Sequence, residues 1–308
     1  MNISTLKYCC SGIKTMLLIV FALFSIQSCT SASKIKSSKY EGVQLGTITY
    51  SYRSMEDKSL PAILDYVVQS GLKSAELMGP TVEQYAGIPQ VKDMKELRQW
   101  RTTVSMDKFK EISKMFKAKG VKIDILKLGD YKWSDEEIDY AFNVCKVLGA
   151  RGITMEISEE AAKRMAPFAE KHNLYVIFHN HGQPANPDFS FDKMLAYGPK
   201  LMLNFDAGHY FGYTGLSPVD FIERQHDRIA SIHIKDKNGP KASSEPNKNQ
   251  QFGKGETPVV EILQLIQKNK WPISCDIELE YTIPEGSDAV KEVTKCVDYC
   301  RAALVQKK

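Results

Sequence analysis

Two rhythms run along this chain. Short stretches dense in Val, Ile, Leu and Phe alternate with longer ones in which apolar residues return every three or four positions, the spacings of strands and of amphipathic helices. Strands are predicted at 43–52, 74–78, 121–128, 152–157, 174–180, 201–205, 229–234 and 273–279, and helices at 60–69, 106–119, 135–148, 159–172, 218–224, 258–268 and 289–304. Ser134 ahead of Asp135, Glu136 and Glu137 reads as an N-cap with acids in the first turn, and Thr257 before Pro258 reads as another helix start. Gly71, Gly120 and Gly149 stand where helices should stop. Eight β/α units with right-handed crossovers close most naturally into a (β/α)8 TIM barrel, whose functional face lies at the C-terminal ends of the strands. An open doubly wound sheet is the alternative, but no Gly-rich phosphate loop follows the first strand to favour it.

Several of these apolar runs turn polar at their C-terminal ends. Thr154 and Glu156, Ile177 with His179 and His181, Asn204 and Asp206, Ser231 with His233 and Lys235, and Asp276 with Glu278 and Glu280 each share one face of a strand. If those faces point inward, the polar groups converge at the barrel mouth. Burying so many unpaired imidazoles and carboxylates would cost several kcal/mol for each ionised group, and a divalent cation is the simplest compensator. Glu156 reads either as a ligand or base of that site or as a cap of the helix that follows at once.

The N-terminus bears on where such a site would work. Lys7 and Lys14 precede an apolar stretch, 16–26, that is too short to span a bilayer, and Ser28 and Cys29 follow it. Residues 1–28 are expected to be a lipoprotein signal, Cys29 the lipidated first residue, 29–41 a tether and 42–308 the barrel, tethered in the periplasm and touching membrane only through the lipid. Removing 1–28 takes away two lysines and no acids, lowering the formal net charge from +4 to +2. That balance argues against a nucleic-acid partner, which calls for a clustered basic stripe. Cys145, Cys275, Cys296 and Cys300 show neither a disulfide framework nor zinc-ribbon spacing and are expected to be small buried hydrophobes.

The segments Phe178-His179-Asn180-His181-Gly182, Asn204-Phe205-Asp206-Ala207-Gly208-His209, His233-Ile234-Lys235-Asp236, Gly253-Lys254-Gly255-Glu256 and Ile277-Glu278-Leu279-Glu280 resemble the xylose isomerase-like barrels, a family of sugar isomerases and epimerases, inosose dehydratase and apurinic endonucleases. The resemblance implies one divalent ion, held by Asp206, His233, Glu278 and, in place of the carboxylate usual on the fifth strand, His179. Mixed imidazole and carboxylate ligands suit zinc, manganese or cobalt. The trinuclear zinc of the endonucleases needs more ligands than can be placed. Losing the fifth-strand carboxylate removes one of the two bases that 3-epimerisation uses.

What remains is proton abstraction next to a sugar carbonyl, with the ion stabilising the enediolate. His209 is expected to face the substrate; Lys235 is expected to act as acid or base, or else to pair with Asp236 or Glu280; Glu278 is both ligand and part of the catalytic set. His181, Trp133, Tyr210 and Glu280 are expected at the substrate, among mouth aromatics that include Tyr131, Phe211, Tyr213 and Tyr281. Residues 237–251 read as a long loop able to act as a lid. A periplasmic enzyme would meet neutral sugars or glycosides, and a 3-keto-glycoside fits best: its acidified carbon-2 proton is lost and the aglycone leaves by β-elimination. The alternative is a metal-containing sugar-binding lipoprotein without turnover.

Overall fold

The computed structural model describes residues 39–306. The expected signal segment 1–28, Cys29 and most of the tether lie outside the described residues. Each predicted strand is present: β1 Val43–Ile48, β2 Ser74–Met78, β3 Lys122–Lys127, β4 Gly152–Glu156, β5 Tyr175–His179, β6 Leu201–Asp206, β7 Ile229–Ile234 and β8 Ser274–Ile277. They pair in parallel in chain order, and β8 pairs with β1 to close the barrel. Residues Lys39–Tyr40 add a short antiparallel strand to the outer end of β1, so the chain is already paired with the barrel before the expected start at 42. No helix among the described residues is long and apolar enough to cross a membrane.

The helices are α1 Leu60–Gln69, α2 Gly79–Ala86, α3 Met94–Thr103, α4 Asp107–Ala118, α5 Asp135–Leu148, α6 Glu159–His172, α7 Phe191–Leu195, α8 Ala207–Thr214, α9 Pro218–Gln225, α10 Val259–Asn269 and α11 Ala289–Val305. Ser134 opens α5 with a full capping box, its hydroxyl accepting from Glu137 N while the Glu137 carboxylate accepts from Ser134 N. Gly149 closes the same helix at φ 77°, a conformation a side chain would strain. Thr257 does not cap α10: the helix begins at Val259, and the Thr257 hydroxyl accepts instead from Lys237 N at 3.0 Å. The four cysteines are free and buried.

Most of the apolar core lies between the strands and the surrounding helices. Inside the barrel a small cluster of Ile125, Ile177 and Ala230 sits apart from it. Ile177 shares its strand face with His179, so the polar strand ends stand above that interior layer. Beside it Asp124 takes ion pairs from Lys122 and Arg151 and accepts from the Ser274 hydroxyl at 2.8 Å.

Candidate active site and metal centre

Four side chains from four neighbouring strands meet at the mouth. His179 ends β5, Asp206 ends β6, His233 lies in β7 directly opposite Asp206, and Glu278 follows β8. One ligand atom from each lies within 4.8 Å of all the others, and each side chain is buried. His179 Nε2 is 3.3 Å and His233 Nδ1 3.8 Å from Asp206 Oδ2, while His233 Nδ1 is 2.9 Å from Glu278 Oε2.

Local chemistry holds these positions. Asn180 clamps the Asp206 main chain, its Oδ1 accepting from Asp206 N at 2.9 Å and its Nδ2 donating to Asp206 O at 3.2 Å. Asp206 Oδ1 accepts from His209 N at 2.6 Å and so starts α8, which fixes His209 beside the cluster. After β1 the chain turns into a 3-10 helix, and the Ser51 hydroxyl donates to Ile277 O and accepts from Leu279 N, bracketing Glu278.

Behind the two imidazoles stand two more carboxylates. His233 Nε2 donates to Glu76 Oε2 at 2.7 Å, and Asn204 Nδ2 donates to the same oxygen at 2.8 Å. Glu156 Oε2 lies 3.3 Å from His179 Nδ1 and 3.1 Å from His181 Nε2, and Lys127 Nζ donates to Oε1 at 2.9 Å. Glu156 is thus drawn into orienting imidazoles rather than capping α6, whose N-cap is Ser158. Glu76 was not anticipated from the sequence. Its signal was there: a lone acid at the inward position of the otherwise uncharged run Ser-Ala-Glu-Leu-Met, fully buried.

Lys235 sends its ammonium among the acids, 2.8 Å from Asp206, 2.6 Å from Glu278 and 2.7 Å from Glu280. Asp236, its other candidate partner, instead accepts from Gly253, Gly255 and Thr257 main-chain N–H groups, which folds the Gly-Lys-Gly-Glu segment under the strand end. Burial opposes the Lys235 charge, but Asp206, Glu278 and Glu280 together raise its pKa above the ordinary value. Burial likewise opposes protonation of His233, yet Glu278 and Glu76 hold its pKa well above normal. His209 goes the other way, lowered to about 4 by burial and by Lys235 and Lys237 against the pull of Asp206.

Two observations test whether a divalent ion suits this cluster. His233 Nδ1 and Glu278 Oε2, both buried, face each other at 2.9 Å inside the cluster, with Lys235 Nζ 2.6 Å from the same carboxylate oxygen, so the imidazole nitrogen and carboxylate oxygen that would ligate an ion already converge on one point. Glu76, Glu156, Asp206, Glu278 and Glu280 also outnumber Lys127, Lys235 and Lys237 by two charges, the deficit one divalent cation fills. The residues fit the ion.

The remaining expected residues divide. His181 faces His179 and His209, with ring centroids 4.6 and 4.8 Å away, and Tyr213 stands 5.9 Å from His209. Tyr210 does not reach the mouth. One step along α8 from His209 turns it about 100° around the helix, and its ring packs with Phe205 and Phe221 in the core, centroids 5.2 Å from each. Trp133 lies under the Arg101 guanidinium at 3.9 Å, in the network where Arg101 bridges Glu83 and Glu137. The expected lid is a hairpin pinned at its base, with Asp236–Lys237 pairing antiparallel to Asn249–Gln250.

Comparison with known proteins agrees with this architecture. Among solved structures, a sugar phosphate isomerase/epimerase from Parabacteroides distasonis ATCC 8503 has a TM-score of 0.60 at 18% identity, covering 88% of this chain and 98% of its own. The probable 3-DHS dehydratase AsbF from Bacillus anthracis has 0.58 at 16%, covering 82% and 98%. The IOLI protein with a binding zinc atom has 0.58 at 14%, covering 84% and 97%. These likenesses establish a shared fold. A search of curated proteins finds no match. Residues 64–300 match the family described as xylose isomerase-like TIM barrel, and the chain, with its closed eight-stranded barrel and the polar cluster at its mouth, belongs to that family.

Proposed function

We propose that this protein is a metal-dependent carbohydrate isomerase, epimerase or lyase that removes a proton next to a sugar carbonyl, and in its sharpest form a 3-keto-glycoside lyase or hydratase that expels the aglycone by β-elimination. The observation that carries it is the buried His179, Asp206, His233 and Glu278 group with Lys235 and His209 beside it. A zinc, manganese or cobalt ion bound there would polarise the keto and adjacent hydroxyl oxygens and acidify the carbon-2 hydrogen.

The protein's own groups complete the chemistry. Glu156 is a weak base: burial would raise its pKa, but its contacts with His179 and His181 and the Lys127 charge lower it far below the ordinary value. Glu280, at the cleft with Lys235 at 2.7 Å, would then take the proton. The Lys235 ammonium stabilises negative charge growing on the substrate oxygen. His209 Nε2, buried 3.5 Å from Glu280 Oε2 and without a hydrogen bond among the described residues, would donate to the departing oxygen.

Counted over these side chains alone, the five acids and three lysines balance with one divalent ion, which supports an uncharged substrate. A sugar phosphate isomerase/epimerase, a probable 3-DHS dehydratase and a protein with a binding zinc atom share this fold, which supports proton-transfer chemistry at a metal. Purified protein incubated in deuterated water with 3-keto-glucosides, with and without chelator, tests the reading. Chelator-sensitive deuterium uptake at carbon 2 or aglycone release is expected; sugar affinity without exchange would instead identify a non-catalytic sugar-binding lipoprotein.

The apolar segment before Cys29 supports a lipid-anchored, periplasmic location. Labelled palmitate should be incorporated in cells and lost in Cys29→Ala; label that persists in the variant would overturn the anchor.

A further inference from the structure

We propose that Lys237 is a positioning residue that fixes the tautomer of His209, so that its Nε2–H faces the cleft and donates to the oxygen leaving the substrate. This rests on the elimination reading above, but its first test does not.

Lys237 is an unusual lysine. It is 4% exposed, yet no carboxylate lies within ion-pair distance of it among the described residues. Its Nζ meets one polar side-chain atom among those residues, His209 Nδ1 at 3.5 Å, with the Tyr213 ring 5.7 Å away. An ammonium only donates, so Nδ1 must be the acceptor. A neutral imidazole that accepts at Nδ1 carries its proton on Nε2. That atom is buried and makes no hydrogen bond among the described residues, with Glu280 Oε2 at 3.5 Å and Asp206 Oδ2 at 3.8 Å. Its proton is therefore held ready rather than spent on the protein.

The surroundings are built to place this amine. Lys237 N donates to the Thr257 hydroxyl at 3.0 Å, and Lys237 O accepts from Glu256 N at 2.8 Å, so its main chain is held by the segment that Asp236 folds. On the facing helix, a Cβ at Gly212 would lie 2.8 Å from Lys237 Cε and 2.4 Å from Asn247 Oδ1. One turn earlier, a Cβ at Gly208 would lie 2.2 Å from Lys235 Cγ. Two glycines four apart on α8 thus make room for two lysines two apart on the strand, the helical and extended repeats matched across one interface.

The proton balance closes. As the carbon–oxygen bond breaks, the departing oxygen takes the Nε2 proton and Nδ1 takes one from the Lys237 ammonium, so His209 stays neutral and Lys237 is left as an amine. The proton that Glu280 removes from carbon 2 returns through solvent to His209 Nε2, and Nδ1 gives its proton back to the Lys237 amine, restoring the starting state.

The first test is 15N NMR of imidazole-labelled, metal-free protein, comparing wild type with Lys237→Met and Lys237→Arg. The Nε2–H form of His209 should dominate in wild type and Lys237→Arg and give way to a mixture in Lys237→Met, with matched thermal melts reporting that each variant folds. A dominant Nδ1–H form in wild type, or an unchanged tautomer in Lys237→Met, would overturn the proposal. The second test is a series of 3-keto-glycosides of differing leaving group. Lys237→Met should lower kcat about tenfold for alkyl aglycones, leave nitrophenyl aglycones nearly unchanged and barely move KM. An equal loss across the series would overturn the proton-donating role. If wild type turns over no member, the elimination reading falls while the NMR result still decides the tautomer.

Discussion

At the scale of single residues, the metal cluster depends on groups that do not touch the ion's position. Glu76 holds His233 Nε2 and thereby turns Nδ1 toward Asp206 and Glu278. Glu76→Gln should weaken metal affinity by about 10- to 100-fold in a competition titration with a chromophoric chelator; an unchanged affinity would remove Glu76 from this role. Because neighbouring carboxylates raise the pKa of His233 and His179 against their burial, an ion that takes these imidazoles as ligands competes with protons for them. Calorimetry in buffers of different ionisation heat should register proton release and an affinity falling as pH drops; no proton release would contradict the assigned ligands. Asp276 supplies a pH effect on stability. Burial and the nearby Asp124 raise its pKa to about 7, so between about pH 4 and 7 the folded state binds a proton that the unfolded chain has lost. Its contribution is whole below pH 4 and declines as pH rises through 7. Asp276→Asn, melted with chelator present, should lose less stability than wild type between pH 5 and 8, by a difference of order 2 kcal/mol; parallel curves would refute it. His209, whose pKa is lowered, works in the opposite sense below pH 6.5 in both proteins and cancels from the comparison.

Elements carry the next layer. The strands were legible because parallel barrel strands are nearly all apolar and end abruptly in polar residues; α1, α5 and α6 were legible to the residue because an apolar stripe and capping residues coincide there. Helices α3 and α8 were not. α3 buries Arg101 rather than an apolar face, and α8 carries two glycines, residues that local propensity counts against a helix. Both make sense only against their neighbours: Arg101 between Glu83 and Glu137, and Gly208 against Lys235. Gly208→Ala improves helix propensity by about 1 kcal/mol, yet its methyl group would collide with Lys235 Cγ. It should therefore displace Lys235 and lower kcat at least tenfold while the protein still folds; unimpaired turnover would show that Lys235 does not need this path. The same logic explains Tyr210, which composition alone could not separate from Tyr213: one turns into the core and the other stands near His209 according to their angle around α8.

For the whole molecule, barrel closure is what turns scattered sequence marks into one centre. His179 and Glu278 are 99 positions apart in the chain, and β5 and β8 become near neighbours only because the sheet curves round. An ion that binds the folded barrel and not the unfolded chain should raise stability by about 3 kcal/mol at one hundred times its dissociation constant. Chelation should lower Tm by several degrees and zinc, manganese or cobalt should restore it; a melting curve indifferent to all three would count against the cluster as a metal site. The sequence by itself determined the order of the strands, most of the long outer helices, the closed barrel and the convergence of polar strand ends at its mouth, because periodicity and polar strand ends are local properties written at each position; the choice of His179, Asp206, His233 and Glu278 among them came from the family resemblance. Only the tertiary structure decided that Glu76 reaches His233 from across the barrel, that Lys235 lies among three acids and that Lys237 leans on His209. Those contacts depend on register and curvature, which bring together side chains whose spacing along the chain carries no periodic signal.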